Sequence, residues 1–231
     1  MKRALFVFAS LLILSACGDD PNEQLVVEGT IKGLKKGMLY LQHITDSTLT
    51  SVDSLDIKGD GNFKFKTELK SPEIFYLYLD KKDNNTINDR ITFFAEPGTI
   101  TVNTDWNTFD TTAKITGSKS QEVLEEYRKT MSSINKRNIE FLMNAAKTTD
   151  ETTPVNFDSL QNISNRNTQR GYAFSINFAL NNKDSYVAPY IALKEIPDAN
   201  VKYLDSIYRS LTPEVADSKY GKELALMLGK N

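Results

Sequence analysis

Between Leu25 and Thr116 apolar residues recur at nearly every second position, and at Gly117-Ser118 that period gives way to steps of three and four. A chain patterned this way buries one face of several short strands first, then one stripe of each helix. The strands fall at 25–31, 38–44, 49–57, 63–69, 73–79, 90–95, 99–104 and 113–116. Lys58-Gly59-Asp60-Gly61-Asn62 and Pro97-Gly98 supply the sharpest turns between them. Phe63, Phe65, Thr67 and Leu69 alternate with Lys64, Lys66, Glu68 and Lys70, so that strand has one wet side. Ile74-Phe75-Tyr76-Leu77-Tyr78-Leu79 is almost unbroken, which predicts a central strand covered on both faces. The fold class expected is α+β, an antiparallel β-sandwich over residues 25–117 followed by a helical segment over residues 118–231.

In the second half Leu124, Tyr127, Met131, Ile134, Asn138, Phe141 and Ala145 make one helical stripe. Its expected partner is a helix over 156–181, reached through a polar turn at 148–154, and packing between the two is expected to use up the stripe. Tyr172, Phe174, Ile176, Phe178 and Leu180 also fit a strand, but a lone strand far from any sheet has nothing to pair with. Shorter helices follow at 186–195, 201–211 and 214–228, with Asp184-Ser185 capping the first and Thr212-Pro213 opening the last.

Ahead of the fold, Met1-Lys2-Arg3 and the apolar run from Ala4 to Leu14 have the make-up of a secretory signal over residues 1–16. The run is about half of the ~20 residues that a membrane-spanning helix needs. Leu14-Ser15-Ala16-Cys17 resembles the lipobox of bacterial lipoproteins, which implies cleavage before Cys17 and acylation of that residue. Residues 17–24 then form a lipidated tether. The resemblance implies a palmitate-bearing protein of the cell envelope, at the outer membrane on its periplasmic face or at the cell surface. The membrane is thus the first expected partner.

Cys17 is the one cysteine and His43 the one histidine. No internal disulfide can form, and most metal sites and nucleophilic triads are excluded together. With Lys2 and Arg3 removed along with the signal, 26 basic residues stand against 30 acidic ones, which argues against a nucleic-acid partner.

Val27-Glu28-Gly29-Thr30-Ile31, Asp60-Gly61-Asn62-Phe63-Lys64-Phe65, Pro97-Gly98-Thr99-Ile100-Thr101-Val102 and Ile115-Thr116-Gly117-Ser118 together resemble an uncharacterised β-rich domain of Gram-negative lipoproteins. In those proteins a helical linker and a thioredoxin-like domain of the thiol-disulfide interchange type commonly follow. Leu211-Thr212-Pro213 and Ser218-Lys219-Tyr220-Gly221 are similar to that linker. The thioredoxin-like domain would begin near Gly229-Lys230-Asn231, and these 231 residues contain no Cys-x-x-Cys. Thiol exchange therefore does not carry over.

His43 reads as a structural strand residue. Asp80, Asp83 and Asp89 read as a solvated hairpin tip rather than a calcium loop, and the stretch from Asp56 to Gly61 as a tight turn. Trp106, Phe109 and the tyrosines near Phe75 read as core more readily than as a platform for a glycan or peptide. Asp46-Ser47-Thr48, Asp53-Ser54, Asp110-Thr111, Asp158-Ser159 and Asp205-Ser206 resemble bacterial O-glycosylation sites, and also ordinary turns and caps. No catalytic residue, metal ligand or cofactor is expected, and Cys17 is the one site residue assigned. The function expected is a non-enzymatic binding or scaffolding module with an envelope protein partner. The alternative is an accessory to thiol-disulfide exchange through a separate thioredoxin-like protein.

Overall fold

The computed structural model describes residues 23–45, 47–81, 89–147 and 157–230. The signal, Cys17, most of the tether, Asp46, the hairpin residues Asp83 to Asn88 and the turn at 148–154 lie outside them. Among the described residues eight strands come first: β1 (Gln24–Lys32), β2 (Lys36–Thr45), β3 (Thr48–Lys58), β4 (Asn62–Glu68), β5 (Glu73–Asp80), β6 (Arg90–Ala95), β7 (Gly98–Asp105) and β8 (Lys114–Thr116). Six helices follow: α1 (Lys119–Lys147), α2 (Phe157–Asn181), α3 (Val187–Lys194), α4 (Val201–Ser210), α5 (Pro213–Asp217) and α6 (Lys219–Met227).

The strands form two four-stranded sheets, ordered β4-β1-β7-β8 and β3-β2-β5-β6. Their inner faces share one core, in which Val27 and Ile100 of the first sheet join Leu41, Leu77 and Phe93 of the second. This is the expected sandwich, with one difference in pairing. β1 runs parallel to β7, from Leu25 opposite Gly98 to Lys32 opposite Asp105. Alternation sets which residues face inward and carries no information on strand direction, so the parallel pair was invisible in it. Gly29 is required at that pairing, because a Cβ there would stand 1.8 Å from the Val102 carbonyl oxygen.

The helices gather against the outer face of the second sheet, where Ile74 and Phe94 join Leu124, Ala188, Ile191 and Leu224 in a second core. Helix α1 is tied to the sandwich at its start. The Glu96 carboxylate accepts from Ser118 Oγ at 3.1 Å, Ser120 N at 3.2 Å and Ser120 Oγ at 2.7 Å. A carboxylate at a helix N-terminus satisfies free N–H groups and complements the helix dipole.

Three expectations from the helical half are corrected. The helix expected over 214–228 breaks at Ser218, whose Oγ accepts from the Gly221 amide at 3.3 Å and so starts α6 afresh. Gly221 packs against that break, where a Cβ would lie 2.3 Å from the Val215 carbonyl oxygen. The stripe on α1 is used up as far as Asn138 and not at Phe141. Leu124 and Tyr127 are buried, with Tyr127 stacked on Phe174 at 5.7 Å, and Met131, Ile134 and Asn138 are half-buried, while Phe141 and, beside the stripe, Ile139, Leu142 and Met143 are exposed. The cap expected at Asp184-Ser185 falls one residue later, at Tyr186, which makes no side-chain capping bond, and Ser185 Oγ accepts from the Val187 amide at 3.3 Å from just outside the helix.

Candidate functional site

β5 is an interior strand of its sheet, and its even-numbered residues point away from the sandwich core. Ile74 lies under the helices, Tyr76 is half-covered, and Tyr78 stands beyond their reach. Cover on both faces was expected along the whole strand, and it holds at one end only. Where cover ends, α3 and α6 stand over the sheet and leave a cleft of about 490 Å³. Its floor is Ile74 and Tyr76, its mouth is bordered by Ile44, and its wall includes Tyr190, Lys194 and Tyr220.

The polar groups at the back of the cleft are tied to the fold. Tyr220 Oη accepts from the Ile74 amide at 3.0 Å, replacing a ladder bond at the sheet surface. Lys219 Nζ donates to the Ile44 carbonyl at 3.0 Å and to the Glu73 carboxylate. Glu73 is only 8% exposed, and a buried carboxylate needs such a partner. His43 closes the group from the sandwich side. Its ring stacks on Phe75 at 5.0 Å, Nδ1 lies 3.5 Å from Glu73 Oε1, and Nε2 is 3.0 Å from Thr45 Oγ1. The histidine is thus part of a structural cluster behind the cleft.

Other groups at the cleft have hydrogen-bonding capacity to spare. Lys194 meets Glu223 only at 3.7 Å, with half its side chain in solvent. Tyr76 has no hydrogen bond from its hydroxyl among the described residues. Burial pushes the Tyr76 phenol upward against the opposing pull of Arg90 and Arg128, and Tyr190 is likewise raised, chiefly by burial. These phenols are neutral donors and acceptors at physiological pH.

Burial also raises Tyr127 and Tyr186 to about 12 and moves Tyr220 higher still. In the unfolded chain each ionises near 10. The folded state therefore keeps its full stability below pH about 10 and loses it as the pH climbs toward 12. Urea midpoints are expected to be flat up to about pH 9 and to fall steeply above 10, with a shallower fall in Tyr127→Phe. An unchanged slope in that variant would contradict the assignment.

The candidates singled out by sequence pattern lie elsewhere. Asp89 is buried and paired with Lys81 at 2.5 Å. Asp60 accepts from the Asn62 amide at 3.1 Å and from its side chain at 2.6 Å, as a tight turn does. Trp106 is 43% exposed and lies over Gly33, and Phe109 is fully buried in the sandwich core. The aromatic platform is therefore not assembled: Trp106 lies apart from Tyr76 and Tyr78, which are half-buried on β5. Asp53 accepts from the Ser54 amide at 2.7 Å, and Asp205 is paired with Arg209 at 2.7 Å. No group of three or more metal-ligating side chains occurs among the described residues, and none of their helices is long and apolar enough to cross a membrane.

The class defined so far is a two-sheet sandwich whose second sheet carries helices on its outer face, with an open cleft between them. Residues 25–124 match the profile of a domain of unknown function, DUF4369, which spans the sandwich and the first turn and a half of α1. No curated protein matches the chain.

Proposed function

We propose that this is a lipid-anchored, non-enzymatic binding module of the cell envelope, held at the membrane through Cys17, and that the cleft between sheet and helices is where it binds. The observation that carries the binding reading is the cleft itself: concave, bordered by three tyrosines, and holding polar groups the fold does not saturate. Concave surfaces with a few convergent polar groups are the usual form of ligand sites. The His43, Glu73 and Lys219 cluster is engaged internally, which favours binding over catalysis. Sandwich followed by helices is also the arrangement seen ahead of the thioredoxin-like domain in the lipoproteins that the sequence resembles, and Cys17 alone supplies no dithiol for exchange.

Ile44 is 41% exposed at the mouth of the cleft, so tryptophan there fills the opening without disturbing the core. Protein extracted from its own membranes and weighed by native mass spectrometry is expected to carry a bound species that Ile44→Trp lacks. Equal occupancy in the two proteins would place binding elsewhere.

A further inference from the structure

The cleft continues onto the uncovered half of the sheet, and the register shows what is there. Ser54, Tyr40, Tyr78 and Arg90 form one row across β3, β2, β5 and β6, and Ser51, Gln42, Tyr76 and Thr92 form the next. Tyr40 stacks on Tyr78 with ring centres 5.9 Å apart. The Arg90 guanidinium lies 5.4 Å from the Tyr78 ring centre and 5.7 Å from that of Tyr76. This cation is exposed, and two rings hold it in place without a carboxylate within 4 Å among the described residues.

Arg90 and Arg128 both act electrostatically on Tyr76, and Arg128 acts on Tyr190 as well. The acids of the row beyond Tyr40 are engaged, Asp56 by Lys58 at 2.7 Å and Asp80 by a partner of its own. Glu195, near Tyr190, and Glu223, beside Lys194, lie on the helix side. An anion fits at Arg90, because a guanidinium takes a carboxylate or sulfate through two parallel hydrogen bonds.

The rest of the face indicates what the anion belongs to. Tyr40, Tyr76 and Tyr78 make no hydrogen bonds through their hydroxyls among the described residues, and Gln42 Oε1 is covered yet unpartnered. The surface is a sheet face, so it offers no row of backbone N–H and C=O groups to an extended peptide. The two rows themselves carry no aliphatic side chain, and those nearest, Ile44 and Ile74, line the cleft. Rings, phenols, an amide and hydroxyls suit a ligand that is itself rich in hydroxyls.

We propose that this face, from Tyr40 through Tyr76 and into the cleft, binds an acidic oligosaccharide, its carboxylate or sulfate held by Arg90 and its sugar rings by Tyr40, Tyr76 and Tyr78. The proposal rests on the cleft being the binding site and adds the class of ligand.

Calorimetric titration of the full chain in detergent with trigalacturonate, a heparin tetrasaccharide and neutral galactotriose tests it. At least one acidic sugar is expected to bind at least about tenfold more tightly than the neutral one. Arg90→Gln should remove that preference while keeping the wild-type urea midpoint, and added salt should weaken the acidic sugar selectively. Equal affinity for neutral and acidic sugars, an unaltered preference in Arg90→Gln, or no binding of either acidic sugar overturns the proposal. Equally tight binding to phosphatidylglycerol vesicles would also overturn it, by showing that the anion is a lipid headgroup. If the acidic sugars fail while Ile44→Trp still loses the species seen in native protein, the cleft stands and only the ligand class is wrong.

Discussion

Phe94→Ala is expected to lower the free energy of unfolding by about 3–5 kcal/mol, the range for removing a fully buried aromatic ring. Phe94 is the sheet residue on which the helices converge. It meets Tyr190 edge-on at 5.8 Å and Tyr220 at 5.9 Å, and its backbone amide donates to Gln121 Oε1 of α1 at 2.8 Å. Alanine keeps the backbone bond and leaves a cavity between sheet and helices. The inner core does not depend on this ring, so the loss should fall mainly on the docking of α3 and α6. Urea unfolding followed by far-ultraviolet helical signal and by Trp106 fluorescence separates the two halves. In the wild type the two curves are expected to coincide, and in Phe94→Ala the helical signal should be lost first. A change under about 1 kcal/mol would mean that the helices do not need this contact.

Cys17→Ala is expected to move the protein from the membrane fraction to the soluble one and to remove all acyl mass from it. Each buried methylene contributes about 0.8 kcal/mol, and a single chain binds only marginally, whereas two or more hold firmly. If Cys17 carries the anchor, as proposed, its loss removes every chain together, so the effect should be near complete. Mass spectrometry of the N-terminal peptide and fractionation of cells check it. Retention of Cys17→Ala on membranes would show that something other than lipid holds the protein there.

How much of this was legible in the sequence follows from what a one-dimensional pattern can hold. The switch of period at Gly117-Ser118 marked the passage from sheet to helix to within two residues, because the side chains that line each core repeat with the geometry of the element. Strand order was not legible, since the β1 and β7 pairing joins segments some seventy residues apart and either direction satisfies the same alternation. The break at Ser218 had a local signal, a serine three residues before a glycine, that the apolar spacing around it obscured.

The cleft was hidden for a different reason. Tyr76 is a strand residue, while Tyr190 and Tyr220 lie on separate helices more than a hundred positions further on. Each one, taken alone, reads as core. The same holds for Arg90, which looked like the polar first residue of a strand until the register set it against Tyr78. Such a site is made by docking the helices on the sheet, and no short motif encodes it.

Selective ¹³C labelling of tyrosine rings, with resonances assigned by single substitution, allows the full chain to be titrated with a fragment set of monosaccharides, uronates and amino acids. Binding in the groove predicts that the active fragments shift Tyr76 and Tyr190 together, with Tyr40 and Tyr78 following, and leave Tyr127 and Tyr172 unmoved. Fragments that instead gather at the exposed Ile139 to Met143 stretch, or that shift none of the groove tyrosines, would contradict the account.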